Sequence, residues 1–350
     1  MDRLVTRNSR VLVRADASRR IGTGHVMRCL ALAQAARKKG ATVTFLSADN
    51  VAALQKKLRK EGMGVARLVC RPGSPEDAEK TVQYARKMKA GLLVVDGYQF
   101  GADYQKTVRT AGLPFLCVDD HAHAAFYRAD LVLNQNINAA EKLYKKRSRG
   151  TRLLLGPRYA LLREEFLAQK SKDRKAAAPA KNILVTMGGS DPDNVTLKVV
   201  RALESLEAGR RQVIVVLGPG NAHAQSLKKF CKRSKLPVKI EANPRNMAVL
   251  MAWADVAVSG AGSTFTELAY MGVPSILLVL AENQKNISRA LARLGAAVDL
   301  GWHADVREDL LAKKLQELLR SSSARKQMSR IQRKLVDGLG ARRILAEARL

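Results

Sequence analysis

The sequence predicts an α/β protein built from two Rossmann-like domains with parallel sheets. The chain has 350 residues, and apolar segments of strand length alternate with helix-length segments along most of it. A charged, Ala-rich stretch at 169–181 interrupts this alternation. We therefore predict a first domain over 1–168, a linker over 169–181 and a second domain over 182–350. Ligands bind such domains at the carboxyl ends of their strands, so an interdomain cleft is the expected site.

The first half begins with a strand and then repeats the strand–helix unit. Ser74 followed by Pro75 predicts a helix start, because Ser is a favoured N-cap and Pro suits the first helical position. The predicted strands lie at 10–15, 42–47, 65–69, 92–95, 115–118, 131–134 and 152–155, and the predicted helices lie at 25–39, at 51–61 and from 75 onward.

The second half resumes the same alternation after the linker. Its predicted strands lie at 183–187, 213–217, 238–240, 256–259 and 275–279, and its predicted helices at 195–206, 224–233, 247–253, 264–271, 307–321 and 324–350. The two final helical segments are rich in basic residues. They either cross back to the first domain or touch a membrane, and the sequence leaves both interpretations open.

The net charge of +31, from 62 Lys and Arg against 31 Asp and Glu, raises the hypothesis of a nucleic-acid-binding protein. However, the basic residues are spread over most predicted helices, aromatic residues make up only 5%, and no recognised nucleic-acid motif is present. We therefore expect no specific nucleic-acid partner. A weak electrostatic contact with an anionic membrane is compatible with this charge.

Other features of the composition predict the compartment. No apolar run reaches transmembrane length, and the first residues lack the apolar core of a secretory signal. Cys29, Cys70, Cys117 and Cys231 form no C-x-x-C pair, so we expect free thiols rather than disulfides or zinc ligands. The sequence therefore predicts a cytoplasmic monomer that needs no metal or other cofactor.

A candidate ligand loop follows the first predicted strand, where residues 14–28 read RADASRRIGTGHVMR. Gly22 and Gly24 would let a ligand approach the backbone at a helix N-terminus, which favours anions. His25 lies at that helix start, where the dipole disfavours an imidazolium and leaves the ring usable as a base. The alternative is a histidine that only caps the helix. The missing third glycine argues against an NAD(P)-dependent oxidoreductase.

Two further strand ends in the first half carry polar side chains. Tyr98, in the segment VDGY, can hydrogen-bond a sugar hydroxyl, or it can pack within its loop. His121 follows Asp119 and Asp120 and could reach the same edge of the sheet. A metal site is not predicted there, because no third ligand stands at a useful spacing.

Two glycine-rich turns connect strands to helices in the second half. Gly188 and Gly189 precede one helix, and Gly262, Ser263 and Thr264 precede another. The glycines allow close backbone approach, and a helix N-terminus offers free N–H groups. We therefore expect both turns to contribute to phosphate binding, and the turn with the hydroxyl groups to be the sharper signal.

Polar side chains near these turns extend the candidate site. Glu267 lies one turn into the second of these helices and could accept hydrogen bonds from ribose hydroxyls, although the helix dipole also favours an acidic residue there. Asn283 and Gln284 follow an apolar strand. Their amides can pair with sugar hydroxyls and N-acetyl groups.

Five short motifs occur in order across residues 14–284: R-x-D-A-S-x-x-I-G-x-G-H-x-x-R, V-D-x-Y, G-G-S-D-x-x-N, G-A-G-S-T-x-x-E-L and A-x-N-Q. Together they resemble the UDP-2,4-diacetamido-2,4,6-trideoxy-β-L-altropyranose hydrolases of pseudaminic acid biosynthesis, a family that takes in spore-coat polysaccharide proteins. The second half also resembles the lipid-II-forming N-acetylglucosaminyltransferase. The resemblance implies a GT-B fold and a role in flagellin glycosylation or cell-surface polysaccharide synthesis.

The resemblance also implies that the two domains bind different parts of the substrate, with UDP held mainly by the second domain. His25 matches the proposed base that activates water, and Tyr98 and Asn283 match the sugar site. The other predicted contacts are Asp16, Gly24, Arg28 and Gln284 for the substrate, and Gly188, Gly189, Met247, Gly262, Ser263, Thr264 and Glu267 for UDP, with Met247 in the uracil pocket.

The predicted reaction is hydrolysis of a UDP-sugar by a single displacement, with water activated by His25 and inversion at the anomeric carbon. A glycosyltransferase that passes the sugar to an acceptor is the first alternative, and a basic nucleic-acid-binding protein is the second. This chain departs from the family pattern in its basic charge and in His121 and His123. The exact sugar therefore stays open.

Overall fold

The computed structural model describes residues 9–18, 22–49, 51–169, 180–206 and 211–350. The chain forms two compact units: unit 1 contains the described residues of 1–164 together with Gly338–Leu350, and unit 2 contains those of Glu165–Asp337. Most of the predicted linker, at 170–179, lies outside the described residues.

Unit 1 is a parallel sheet with helices on both faces. Its strands are β1 (Arg10–Ala15), β2 (Thr42–Ser47), β3 (Gly64–Arg67), β4 (Leu92–Asp96), β5 (Phe115–Val118), β6 (Leu131–Asn134) and β7 (Arg152–Leu155). Its helices are α1 (Gly24–Lys38), α2 (Ala52–Lys60), α3 (Pro75–Lys87) and α4 (Ala102–Thr110), and α5 (Glu164–Ala168) begins where unit 1 ends. The strand order is β3-β2-β1-β4-β5-β6-β7, and all the pairs are parallel.

The side chains of β1 show why this sheet is covered on both faces. Val11 and Val13 join the core formed with α1 and α2, whereas Leu12 joins the core on the opposite face. Strand β4 is buried at every position. Continuous apolar strands of this kind are typical of parallel sheets between two helical layers. The predicted start of α3 is confirmed, because the Ser74 hydroxyl accepts a hydrogen bond from the Asp77 N–H.

Unit 2 repeats this design with a six-stranded sheet. Its strands are β8 (Asn182–Thr186), β9 (Gln212–Leu217), β10 (Val238–Ala242), β11 (Val256–Gly260), β12 (Ser275–Val279) and β13 (Val298–Trp302). Its helices are α6 (Val195–Glu204), α7 (Ala224–Arg233), α8 (Met247–Trp253), α9 (Thr264–Met271), α10 (Lys285–Arg293), α11 (Glu308–Arg320) and α12 (Ser322–Leu335). The order is β10-β9-β8-β11-β12-β13.

Each sheet has one point where the order of the strands reverses direction. In unit 1 this point lies between β1 and β4, whose ends pair at Ala15 and Asp96. In unit 2 it lies between β8 and β11, which pair at Thr186 and Ser259. The loops beyond such strand ends diverge to opposite faces and leave a crevice for ligands. The loops that follow these strand ends include those that the sequence singled out.

The end of the chain differs from the prediction. The predicted helix at 324–350 is broken into α12 and a separate helix, α13 (Gly340–Glu347), which packs with unit 1 rather than unit 2. Ile344 and Leu345 are buried in the core of unit 1. A Cβ on Gly340 would lie 2.2 Å from the carbonyl oxygen of Ala160, so only glycine permits this approach.

None of the helices in the described part of the chain combines the length and the hydrophobicity needed to cross a bilayer.

Candidate functional site

The candidate site of unit 1 begins in the loop between β1 and α1. Gly22 has a φ of +73°, a conformation that glycine adopts without strain, and its N–H donates to the Ser18 carbonyl at 2.8 Å. Gly24 is the first residue of α1 and His25 the second. The N-cap residue, Thr23, makes no side-chain capping hydrogen bond to this helix start.

His25 is held by a carboxylate at the end of the neighbouring strand. Its Nδ1 lies 2.7 Å from Oδ1 of Asp96, the last residue of β4. An ionised carboxylate only accepts hydrogen bonds, so this short distance places the proton on Nδ1, and Arg28 Nη2, which lies 3.1 Å from the same nitrogen, donates to Asp96 instead. In the neutral ring, Nε2 then carries the free lone pair. The His25 side chain is 11% exposed and that of Asp96 is fully buried, so only the histidine end of the pair reaches the surface of unit 1.

Arg28 ties this carboxylate to a second one. Its Nε and Nη2 donate to the two oxygens of Asp96, each at 2.7 Å, and its Nη1 donates to Asp120 at 2.6 Å. Burial by itself would raise the pKa of Asp96, but Arg28 and His25 hold that pKa well below its usual range. Asp96 therefore stays ionised. Arg28, predicted to bind substrate, is buried and directs three of its N–H groups to these two carboxylates.

Tyr98 lies against the His25 ring. The two ring centroids are 4.9 Å apart and the planes are nearly perpendicular. The Tyr98 hydroxyl donates to Oδ2 of Asp120 at 2.8 Å. Burial and the charge of Asp120 raise the pKa of Tyr98 well above its usual range, so the phenol stays protonated. Its oxygen lone pairs can still accept a hydrogen bond, and its role in sugar binding stays a prediction.

Asp16 was predicted to contact the substrate, but its carboxylate is already occupied. Oδ1 accepts from Arg14 at 2.6 Å and from the Ala48 N–H at 2.8 Å. It also accepts from the Ser47 hydroxyl, while Oδ2 accepts from the Gln99 amide. Asp16 is only 2% exposed. These contacts assign it to holding together the loops that follow β1, β2 and β4.

The first glycine turn of unit 2 packs on another stretch of backbone. Gly188 has a φ of +84°, and the Gly189 carbonyl accepts from the Gly220 N–H at 2.9 Å. A Cβ on Gly218 would lie 2.4 Å from the Gly189 oxygen. Close backbone packing, rather than room for a ligand, accounts for glycine at 218. The UDP-binding role of Gly188 and Gly189 stays a prediction.

The helix after this turn does not offer the free N–H groups that the sequence suggested. Asp191 accepts from the Val195 N–H at 2.8 Å and from the Thr196 N–H at 3.0 Å. Its carboxylate therefore occupies the N-terminus of α6 as an acidic cap. A phosphate placed there would meet a negative charge, so the expected free N–H groups are absent from this helix start, and only the turn itself stays a predicted phosphate contact.

The second glycine turn of unit 2 has the opposite character. Ser263 is the N-cap of α9, yet its hydroxyl makes no capping hydrogen bond, and Thr264 is the first helical residue. The helix start at Gly262–Thr264 thus combines a positive dipole end with two hydroxyl-bearing residues that are not used as caps. Glu267 lies in the first turn of the same helix.

The remaining predicted contacts of unit 2 lie near this turn or on the next helix start. Gln284 accepts from the Leu280 N–H at 3.0 Å, and its Nε2 would lie 3.4 Å from a Cβ on Gly262, so its amide packs against the glycine turn. Asn283 lies in the same short 3₁₀ turn. Met247 begins α8, and Asn246 caps that helix through the Val249 N–H.

The charged residues around His25 were only partly predicted. Asp96 and Asp120 were noted as lying at strand ends, but neither was assigned to the site. The available signal was an acidic residue at the end of each of two consecutive apolar strands, β4 and β5. The structure also brings His121 and His123 beside Tyr98, with ring centroids at 4.7 and 5.7 Å. Within the described ranges, no three His, Cys, Asp or Glu side chains are arranged to hold a metal ion.

Comparison with known proteins supports the fold and finds a family similarity for the second part of the chain. Residues 182–342 match the family model of the glycosyltransferase family 28 C-terminal domain. The crystal structure of Acinetobacter baumannii MurG aligns over 97% of this chain and 98% of its own, with a TM-score of 0.66 at 18% identity. The predicted GT-B, α/β fold is therefore confirmed.

Three curated relatives are 25–29% identical to this chain and align over most of it. The Methanocaldococcus jannaschii protein MJ1062 is 29% identical over 79% of this chain, which spans only 57% of that relative. The Bacillus subtilis spore coat polysaccharide biosynthesis protein SpsG is 25% identical over 95% of both chains. The Campylobacter jejuni UDP-2,4-diacetamido-2,4,6-trideoxy-β-L-altropyranose hydrolase is 25% identical over 83% of this chain and 98% of its own.

Proposed function

We propose that this protein hydrolyses a UDP-sugar at the anomeric carbon and releases UDP and a free 2,4-diacetamido-2,4,6-trideoxy sugar. The Campylobacter jejuni relative is named as a hydrolase of such a substrate, and the match covers 98% of its length. Both facts support this choice. The proposed product is a precursor of a pseudaminic-acid-type sugar.

The observation that carries the proposal is the His25–Asp96 pair at the strand reversal of unit 1. With Nδ1–H donated to Asp96 at 2.7 Å, Nε2 can take a proton from water. The buried carboxylate then stabilises the imidazolium that forms. The water oxygen bonds to the anomeric carbon as the bond from that carbon to the diphosphate oxygen breaks, and UDP departs with the bonding electrons. A single displacement of this kind inverts the anomeric carbon.

In this proposal unit 2 binds the nucleotide. The uncapped start of α9 at Ser263 and Thr264 supports diphosphate binding, because helix N-termini stabilise anions through free N–H groups and the dipole. The same interactions favour the charge that builds up on the departing UDP. Arg28 and Asp96 serve the base instead, since their charges are paired within unit 1.

The test is incubation of the purified protein with UDP-2,4-diacetamido-2,4,6-trideoxy-β-L-altropyranose in the absence of any acceptor. We expect UDP and free sugar in equal amounts, with the product anomer identified by NMR before it equilibrates. His25→Asn should lower kcat by about 10²-fold to 10⁴-fold, the usual contribution of a general base. Its Kd for UDP and its melting temperature should stay at the wild-type values. Near-wild-type turnover in this variant would refute the role of His25.

A glycosyltransferase is the second candidate, and the match of residues 182–342 to a glycosyltransferase domain favours it. The acid–base pair would then deprotonate an acceptor hydroxyl rather than water. The same assay separates the two activities. UDP release that requires an added acceptor supports transfer, whereas release without one supports hydrolysis.

A further inference from the structure

Unit 1 contains a second histidine–aspartate pair that the proposed mechanism does not use. Nδ1 of His123 lies 2.7 Å from Oδ1 of Asp119, the same distance that separates His25 from Asp96. Asp96 ends β4 and Asp119 directly follows β5, and these two strands are neighbours in the sheet. The two pairs therefore lie side by side along one edge.

Three further hydrogen bonds to Asp119 hold the second pair in place. The Asp119 carboxylate is fully buried and accepts from the Tyr144 hydroxyl at 2.7 Å, the Tyr127 hydroxyl at 2.9 Å and the Ala122 N–H at 2.7 Å. Burial alone would raise the pKa of Asp119, but His123 and the two tyrosines hold it well below its usual range. An ionised Asp119 accepts the proton of Nδ1, so in the neutral form of the ring the lone pair lies on Nε2.

Nε2 of His123 is the unusual atom of this cluster. It is buried and has no hydrogen-bond partner among the residues that the structure describes, and the side chain is only 7% exposed. A buried polar atom without a partner loses its hydration and gains no hydrogen bond in exchange, which destabilises the folded state. The two nitrogens of an imidazole project in nearly opposite directions, so Nε2 points away from Asp119. Such a cost is commonly retained where a ligand supplies the partner.

Tyr98 links the two pairs. Its ring centroid lies 4.9 Å from that of His25 and 5.7 Å from that of His123, with both histidines in edge-type contact. Tyr98 is 39% exposed, so it forms part of the surface beneath which the His123 ring lies. A sugar that contacts Tyr98 and presents its anomeric carbon to His25 is therefore within one aromatic ring of His123.

We propose that His123 is a substrate-specificity residue whose Nε2 accepts a hydrogen bond from a hydroxyl or amide N–H group of the sugar. This inference rests on the proposed function and adds a contact to it. A donor on the ligand is required, because a neutral Nε2 has only a lone pair to offer and would repel phosphate oxygens. His123 is thus a recognition group, whereas His25 is the base.

The test measures binding of the intact UDP-sugar by calorimetry in the His25→Asn background, where turnover is slow. Adding His123→Asn keeps an amide N–H near the Nδ1 position but removes Nε2. We expect the Kd for the UDP-sugar to rise about 3-fold to 10-fold, the usual effect of one neutral hydrogen bond, while the Kd for UDP alone stays unchanged.

His223→Asn in the same background is the matched control, because it makes the same side-chain change at a histidine of unit 2 that contacts the Pro192 carbonyl. It should leave the Kd for the UDP-sugar unchanged. An unchanged Kd in His123→Asn, or an equal rise in His223→Asn, overturns the inference. Absence of hydrolysis by the wild-type protein instead overturns the proposed function, so the two failures are distinguishable.

A measurement that leaves His123 in place covers the case in which His123→Asn does not fold. In the His25→Asn variant, the ¹⁵N chemical shift of His123 Nε2 should move when the intact UDP-sugar is added and should not move with UDP alone. A shift that is unchanged by the UDP-sugar would also overturn the inference.

Discussion

The carboxyl ends of the strands carry charged side chains in unit 1 but backbone N–H and hydroxyl groups in unit 2. In unit 1 the ionised carboxylate of Asp96 at the end of β4 contacts His25 and Arg28 of α1. In unit 2 the equivalent turn at Gly262–Thr264 presents backbone and hydroxyl groups at a helix start. The carboxylate of unit 1 can orient a base and stabilise its protonated form. The helix start of unit 2 can bind an anion through its N–H groups and dipole. In the proposed reaction the first sheet edge transfers the proton and the second binds the diphosphate.

Helices α6 and α9 of unit 2 differ in the side chain that stands at their N-termini. Helices α6 and α9 both follow glycine-containing turns at the strand reversal, but Asp191 caps α6 with a carboxylate while the Ser263 hydroxyl leaves α9 uncapped. A glycine-rich turn before a helix is thus not sufficient for an anion site. The side chain at the helix start decides whether the N–H groups remain available.

Replacing the carboxylate that holds the base should have the largest effect. Asp96→Asn removes the charge that keeps Nδ1 of His25 protonated and stabilises the imidazolium, so kcat should fall by about 10²-fold to 10⁴-fold. UDP affinity should be unchanged if unit 2 alone binds the nucleotide. Asp103→Asn, an exposed acid in the first turn of α4, is the control and should have wild-type kinetics. Loss of UDP affinity in Asp96→Asn would break the comparison between the units.

The same substitution should change stability in a pH-dependent way. Because the folded pKa of Asp96 is depressed, its ion pairs stabilise the protein fully above the unfolded pKa of about 3.9 and progressively less as pH falls below it. Removing one member of a buried pair costs about 3–5 kcal/mol. Urea unfolding should show this difference between wild type and Asp96→Asn at pH 6 and a smaller one at pH 3. Equal differences at both values would contradict the assignment of Asp96 as an ionised partner.

Ser263→Ala should weaken UDP binding without changing the chemistry of unit 1. A hydrogen bond to a charged group contributes about 1.5–3 kcal/mol, so the Kd for UDP should rise about 10-fold to 100-fold in calorimetry. Ser205→Ala, at the far end of α6, is the matched control and should bind UDP normally. An unchanged Kd in Ser263→Ala would mean that the hydroxyl does not contact UDP.

Gly340→Ala tests whether the end of the chain belongs to unit 1. The added Cβ would lie 2.2 Å from a backbone oxygen, so we expect the free energy of unfolding to fall by about 1–3 kcal/mol. Gly150→Ala is the control, because a Cβ there has no neighbour within 4 Å and the backbone is outside the left-handed region. Both variants should keep the same Kd for UDP. Equal stabilities of the two variants would contradict the packing of α13 on unit 1.

Sequence patterns predicted most of the elements because those patterns are local. The apolar run of β4 and the Ser–Pro start of α3 appear in the structure where they were expected. Strand β13 was not predicted, since Val298–Trp302 contains Asp299 and Gly301 and is only partly buried. An edge strand with polar residues lacks the continuous apolar signal that marks the central strands.

By itself, the sequence determined the α/β alternation, the glycine turns and the position of His25 at a helix start, because hydrophobic periodicity and turn chemistry act over a few residues. Only the tertiary structure decided which carboxylates meet that histidine. Asp96 lies 71 residues from His25 along the chain, and their 2.7 Å contact exists because β1 and β4 are neighbours in the sheet. The return of α13 to unit 1 has the same origin, since the partners of Ile344 come from distant elements whose packing no local pattern encodes.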